Sequence, residues 1–182
     1  MWKACQQGHV DVVRLLLKHD ENINKAKITG STPLYMAAQK GHVECARLLL
    51  AANAAVNQAR TDVGATPLLI ASERGHIEIV RMLLAANAAV DQARDDGATP
   101  LLIACQKGHT ELATLLLDRG AEVDRALHDG ATPLLLACQE GHAEVASLLL
   151  DRGAEGDRAN NDGWTPLLNA CENGHIEVAT LL

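Results

Sequence analysis

The 182-residue sequence predicts an all-helical protein made of stacked helix-turn-helix units joined by hairpin-like loops. The first supporting observation is a repeat of 33 residues, with one step of 34. Thr-Pro-Leu begins at Thr32, Thr66, Thr99, Thr132 and Thr165, and Gly-His begins at Gly8, Gly41, Gly75, Gly108, Gly141 and Gly174. The second is a shortage of aromatic residues, with two Trp, one Tyr and no Phe. The core must therefore be aliphatic and extended by repetition.

Each unit contains the start and stop signals of two short helices. In one of them, Thr99 suits a helix N-cap and Pro100 suits the first helical position, where its missing N–H is not needed. The first helix is apolar and ends near Gly108. A second helix is predicted from about 110 to 118, with leucines at i, i+3 and i+4, and Gly120 ends it. Neither helix can bury its apolar side alone, so neighbouring units must stack.

The repeat divides the chain into one array without linkers. A partial repeat covers 1–29, complete repeats cover 30–62, 63–95, 96–128 and 129–161, and a partial repeat covers 162–182. The single inserted residue falls in a loop just before Gly64, where extra length costs little. Both ends fall within a unit, so we expect either a longer array or end faces that associate with something else.

The pattern Asp-Gly-x-Thr-Pro-Leu-x-x-Ala-x-x-x-Gly-His, followed by Leu-Leu-x-x-Gly-Ala, resembles the ankyrin repeat over essentially the whole chain. The resemblance implies an ankyrin-repeat solenoid that binds a protein partner on its concave hairpin and first-helix face. One departure is the residue after Thr-Pro-Leu, where the family usually has His. This chain has Tyr35, Leu69, Leu102, Leu135 and Leu168, which should replace a polar link with buried apolar area.

Carried over position by position, the resemblance also implies a set of partner-binding residues. They are Ile28, Thr29, Asp62, Asp95, His128, Asp129, Asn161 and Trp164 at the hairpin tips, and Gln39, Lys40, Glu73, Arg74, Gln106, Lys107, Gln139 and Glu140 near the ends of the first helices. Trp164 stands out because earlier units have Ser or Ala at its position, and Trp is frequent among interface hot spots. Alternatively, Trp164 covers its own end of the stack. The resemblance further implies possible hydroxylation of Asn24 and Asn57.

Other function classes lack their sequence signals. The formal net charge of -7 and the absence of a basic run argue against nucleic acid and anionic membranes as partners. No nucleophile–base motif, phosphate loop, dinucleotide fingerprint or zinc motif occurs. The repeated cysteines and Gly-His histidines fit structural positions. We therefore predict no enzymatic activity, no cofactor and no metal site.

The setting and the role of the chain are predicted less directly. No apolar run reaches the ~20 residues needed to cross a bilayer, and the start lacks the apolar segment of a signal peptide, which predicts a cytoplasmic or nuclear protein. The favoured function is a protein-interaction scaffold. One alternative is a structural or self-associating segment, natural or engineered, that pairs end to end and has no dedicated ligand. Another is a targeting subunit for an enzyme carried elsewhere in a longer chain.

Overall fold

The protein is described here by a computed structural model that covers residues 1–19 and 21–182. Two compact units divide the chain, an N-terminal unit of Met1–Asp95 and a C-terminal unit of Asp96–Leu182. Within the described residues, the chain forms twelve helices and no strand. The predicted all-helical class is therefore confirmed.

Each unit contains three consecutive helix pairs. In the N-terminal unit these are α1 (Trp2–Gln7), α2 (Val10–Lys18), α3 (Pro33–Lys40), α4 (Val43–Ala51), α5 (Pro67–Glu73) and α6 (Ile77–Ala85). In the C-terminal unit they are α7 (Pro100–Gln106), α8 (Thr110–Asp118), α9 (Pro133–Glu140), α10 (Ala143–Asp151), α11 (Pro166–Glu172) and α12 (Ile176–Ala179). The odd-numbered helices are the first helices of the repeats, and the even-numbered ones are the second helices. Within each unit, first helices pack on first helices, second on second, and each first helix on its own second helix.

The Thr-Pro signal begins the first helices as predicted. Thr32 lies in extended backbone and its hydroxyl accepts a hydrogen bond from the Tyr35 backbone N–H at 3.0 Å. Thr66, Thr99, Thr132 and Thr165 make the same bond at 3.1 to 3.2 Å. The bond satisfies one of the free donors at a helix start, and Pro fills the next position, which needs no donor. The same local chemistry therefore fixes the entry point of each of these five helices.

The first helices form most of the core. In α9, every residue from Pro133 to Cys138 is buried. The position where the family has His is also buried at Tyr35, Leu69, Leu102 and Leu135. The predicted exchange of a polar link for apolar burial is confirmed at these four residues. Leu168 differs, with 51% of its surface exposed, since α11 packs on α9 but on no further first helix.

Candidate partner-binding surface

Backbone hydrogen bonds between successive loops hold the hairpin tips in a row within each unit. In the N-terminal unit, the Thr61 N–H donates to the Thr29 carbonyl at 3.0 Å. In the C-terminal unit, the Asn161 N–H donates to the Asp129 carbonyl at 2.8 Å. The bonds use only main-chain groups, so the side chains of the tip residues are left to point elsewhere. The tips thus form ordered rows in which the side chains can vary without loss of these bonds.

A second set of bonds ties each hairpin to the next through a side chain. The Asn24 amide oxygen accepts the Ala55 backbone N–H at 2.9 Å, and the Asn57 oxygen accepts the Ala89 N–H at 2.9 Å. In the C-terminal unit, the Asp124 carboxylate takes this role with the Glu155 N–H at 3.2 Å. The two asparagines predicted as modification sites therefore have a structural task in the folded chain.

The Gly-His histidines form a third connection, at the ends of the first helices. The Nε2–H of His142 donates to the carbonyl of Gln106 at 3.1 Å, and that of His175 donates to the carbonyl of Gln139 at 3.0 Å. The His142 ring also lies against Gly108 of the preceding repeat, so closely that a Cβ there would come within 2.7 Å of the ring. The structural role predicted for these histidines is confirmed, and they fix the main chain of two predicted partner-binding residues.

The predicted partner-binding residues occupy two rows, the tips and the ends of the first helices. Exposed members are Ile28, Lys40, Asp62, Arg74, Asp95, Lys107, His128, Asp129, Gln139, Glu140, Asn161 and Trp164, and half-buried members are Thr29, Gln39, Glu73 and Gln106. Ile28 is the most exposed large apolar side chain. Since no predicted residue is fully buried, each can be reached from solvent.

Trp164 lies on an ordered turn. The Asn160 side-chain oxygen accepts the Trp164 N–H at 2.9 Å, and the Asn160 N–H donates back to the Trp164 carbonyl at 2.9 Å. The Trp side chain is 38% exposed. The equivalent residues Ser31, Ala65, Ala98 and Ala131 were expected to be part of exposed tips, but all are buried. That expectation is wrong, because the position faces the core: Ala131 packs with Leu102, Leu135 and Leu136.

Two cation–aromatic pairs lie beside the tips of the N-terminal unit and are absent from the sequence predictions. Lys27 Nζ lies 5.2 Å from the centroid of the Trp2 ring, and the Arg60 guanidinium lies 5.5 Å from that of Tyr35. Arg60 Nε also donates to Asp62 at 2.9 Å, and this bond lowers the pKa of the Asp62 carboxyl. Lys27 and Arg60 are 33 residues apart, as are Trp2 and Tyr35, so the paired periodicity was a usable signal.

The cysteines show no arrangement for chemistry. Cys5, Cys45, Cys105 and Cys138 are buried and Cys171 is exposed. Burial raises the pKa of the Cys5 and Cys138 thiols to about 12, which keeps them protonated and unreactive near neutral pH. Across 1–19 and 21–182, no three His, Cys, Asp or Glu side chains are grouped so that they could hold a metal ion. In the same ranges no helix has the length and apolar character of a membrane span.

These helix pairs, their caps and their links define a helical repeat protein. The family model of ankyrin repeats matches the chain three times, over residues 1–61, 52–126 and 122–182. The chain therefore belongs to the ankyrin repeat family, whose repeats are generally protein-interaction modules. No curated protein is significantly similar to the chain in sequence.

Proposed function

We propose that the chain is a non-catalytic scaffold that holds a protein partner on its hairpin tips and first-helix ends. The observation that carries the proposal is a division of labour along the repeats. Main-chain bonds such as Thr61 N–H to Thr29 carbonyl hold the tips in place, while exposed side chains such as Ile28, Lys40 and Arg74 take little part in holding the fold. An ordered surface whose side chains are free to vary suits specific recognition, because little entropy is lost on binding.

The proposal can be tested by comparing two triple variants of the same chain. The first, Lys40→Ala, Arg74→Ala and Trp164→Ala, removes exposed side chains from the proposed surface. The control, Arg14→Ala, Glu78→Ala and Arg119→Ala, removes exposed side chains from the second helices and the turn after α8. Affinity purification with crosslinking should find a saturable partner that the first variant loses and the control keeps. A partner held equally by both variants would overturn the proposed surface.

The second candidate function is self-association of the chain end to end. Exposed apolar side chains in α11, α12 and the residues after them favour it, namely Leu167, Leu168, Ile176, Leu181 and Leu182, and α2 exposes Val12 and Leu15. Joining unlike surfaces would produce open chains of copies rather than closed dimers. Light scattering over a dilution series should show mass rising with concentration, and Leu168→Gln with Ile176→Gln should suppress it. A strict monomer at high concentration would rule this candidate out.

The five free cysteines support a reducing compartment, the cytoplasm or the nucleus, as the site of action. Imaging the protein expressed from its native full-length reading frame tests this placement. Asn24 and Asn57 stay proposed hydroxylation sites. Since their amide oxygens accept the Ala55 and Ala89 N–H groups, a hydroxylase would act on locally opened hairpins. Mass spectrometry of protein from its native cell would show oxygen added at these residues, and unmodified peptides would exclude it.

A further inference from the structure

The second helices of all six repeats carry an acidic residue in their first turn. These residues are Asp11, Glu44, Glu78, Glu111, Glu144 and Glu177. A negative side chain at this position is favourable because the N-terminal end of a helix carries partial positive charge. The acids are thus explained by helix stability, and the informative question is what lies next to them.

In the N-terminal unit, an arginine follows each acid by three residues, at Arg14, Arg47 and Arg81. Arg47 lies between two carboxylates of successive repeats. Its Nε is 3.5 Å from Glu44 Oε1, and its Nη2 is 3.4 Å from Glu78 Oε1. The flat guanidinium can meet two carboxylates at once through different nitrogens. The space between two such glutamates therefore accepts an arginine.

In the C-terminal unit, the arginine positions are Thr114, Ser147 and Thr180. The Thr114 and Thr180 hydroxyls donate to carbonyls of their own helix. Glu144 accepts a 3.3 Å hydrogen bond from the Thr110 hydroxyl. Among the residues that the structure describes, no cation comes within 4 Å of Glu144, Asp151 or Glu177. Ser147, at the place of Arg47, is too short to fill the space between Glu144 and Glu177.

That space is part of an open groove of about 510 Å³ along the second helices of the C-terminal unit. Its lining includes the carboxylates Glu144, Asp151 and Glu177 and the apolar side chains of Leu148 and Leu181. The charge of the unit adds to the local effect. The N-terminal unit has eleven basic and nine acidic residues, a net of +2, whereas the C-terminal unit has five basic and fourteen acidic, a net of -9. The groove thus offers apolar contact under a negative potential that attracts cations.

We propose that this groove binds a basic segment of a partner protein. An arginine of the segment lies between Glu144 and Glu177 in the way that Arg47 lies between Glu44 and Glu78, and a neighbouring apolar side chain covers Leu148 and Leu181. Arginine fits better than lysine because its fork can meet both carboxylates. The inference rests on the proposed protein-binding function and adds a second surface, on the second helices, to it.

The test uses a short fluorescein-labelled peptide of alternating Arg and Leu, followed by fluorescence polarisation with the 182-residue chain. Ser147→Arg fills the groove from within, as Arg47 does, and should weaken peptide binding about tenfold or more. Ala159→Arg adds the same charge to the same unit at an exposed loop position and should leave binding nearly unchanged. A peptide with citrulline in place of Arg keeps the shape without the charge and should not bind.

Three results separate the possibilities. Equal weakening by Ser147→Arg and Ala159→Arg would mean attraction to net charge alone, and equal binding of the citrulline peptide would mean apolar contact alone; either overturns the proposal. Thermal unfolding of Ser147→Arg should match that of the parent chain, since arginine is already tolerated at Arg47, so loss of binding cannot be ascribed to unfolding. The Lys40, Arg74 and Trp164 triple variant should bind the peptide normally. If the peptide fails to bind while a hairpin-face partner is still held, only the groove is refuted.

Discussion

The second helices of the two units differ mainly in what accompanies their first-turn acids. In the N-terminal unit, Arg47 joins Glu44 to Glu78, so successive repeats neutralise each other across the surface. In the C-terminal unit, Ser147 leaves Glu144 without a cation within 4 Å among the described residues. The helices themselves are alike, since α4 and α10 have the same length and the same acidic first turn. The repeat framework therefore tolerates either charge pattern, and the charges are available for recognition.

A similar contrast exists beside the hairpins. The N-terminal unit pairs Tyr35 with Arg60, whereas the C-terminal unit packs Leu127 against Leu102 and its neighbours at the equivalent positions. Two side chains have changed together, from aromatic and cation to two leucines. The comparison separates positions that must be kept, such as the Thr caps, from pairs that can be exchanged. Substitutions at each kind of position should differ in cost, and the expected effects are taken from the largest down.

The largest effect should come from the shared framework, at Gly108. Its φ of +70° lies in the left-handed region, which costs a residue with a side chain about 1–2 kcal/mol. A Cβ there would also come within 2.7 Å of the His142 ring. Gly108→Ala should therefore lower the free energy of unfolding by about 2 kcal/mol or more, measured by urea denaturation followed by circular dichroism.

Gly174 provides the matched control, because it has φ +71° and a Cβ there would meet nothing within 4 Å. Gly174→Ala should show the backbone cost alone. Combining Gly108→Ala with His142→Ala should remove the steric part of the loss, although it also removes the bond to Gln106. If Gly108→Ala and Gly174→Ala cost the same, the His142 contact has no role in linking the repeats.

The next effect concerns the side chains that tie one hairpin to the next. Asn57→Ala removes the acceptor of the Ala89 N–H and should cost about 1 kcal/mol in the free energy of unfolding. Asp124→Ala should cost a similar amount in the other unit, through the Glu155 N–H. Asp157 occupies the same repeat position, but no described hairpin bond uses its carboxylate. Asp157→Ala should therefore be nearly neutral, and a cost equal to that of Asp124→Ala would show that these bonds do not stabilise the fold.

A smaller effect is expected at the exchangeable pair. Tyr35→Leu installs the residue found at Leu69, Leu102 and Leu135 and removes the cation–π contact with Arg60, which is worth about 0.5–1 kcal/mol at an exposed site. A double-mutant cycle with Arg60→Met in urea denaturation isolates the coupling between the two side chains. A coupling energy of zero would mean that Tyr35 contributes only its apolar area.

The fold was predictable because its signals are local. Thr99 followed by Pro100 specifies a helix start through one cap bond, and the identity of the neighbouring repeat does not alter that bond. The exposure of the tips was not predictable in the same way. Ala65 and Ala131 have the composition of a bland loop surface, yet both are buried, because a residue's burial there depends on how other repeats pack against it.

The candidate surface shows the same division. Asn161 and Gln139 could be placed in their rows from repeat position alone. The pairing of Arg60 with Asp62, and of Arg47 with Glu78, could not, because it depends on side-chain reach between neighbours. The spacing of Arg14, Arg47 and Arg81 against Thr114, Ser147 and Thr180 was present in the sequence, but its meaning required knowing that the second helices lie side by side.

The smallest expected effect lies at the arginine that defines the contrast between the units. Arg47→Ser gives α4 the residue that α10 has at this place and removes an ion pair whose side chains are about half exposed. Exposed pairs contribute about 0.2–1 kcal/mol, so the free energy of unfolding should fall by no more than this. The loss should shrink as salt rises, because salt screens exposed charges. Urea denaturation at low and high salt measures both. A loss that is independent of salt would show that Arg47 acts through the packing of its aliphatic stem, and the two units would then differ in packing rather than in charge.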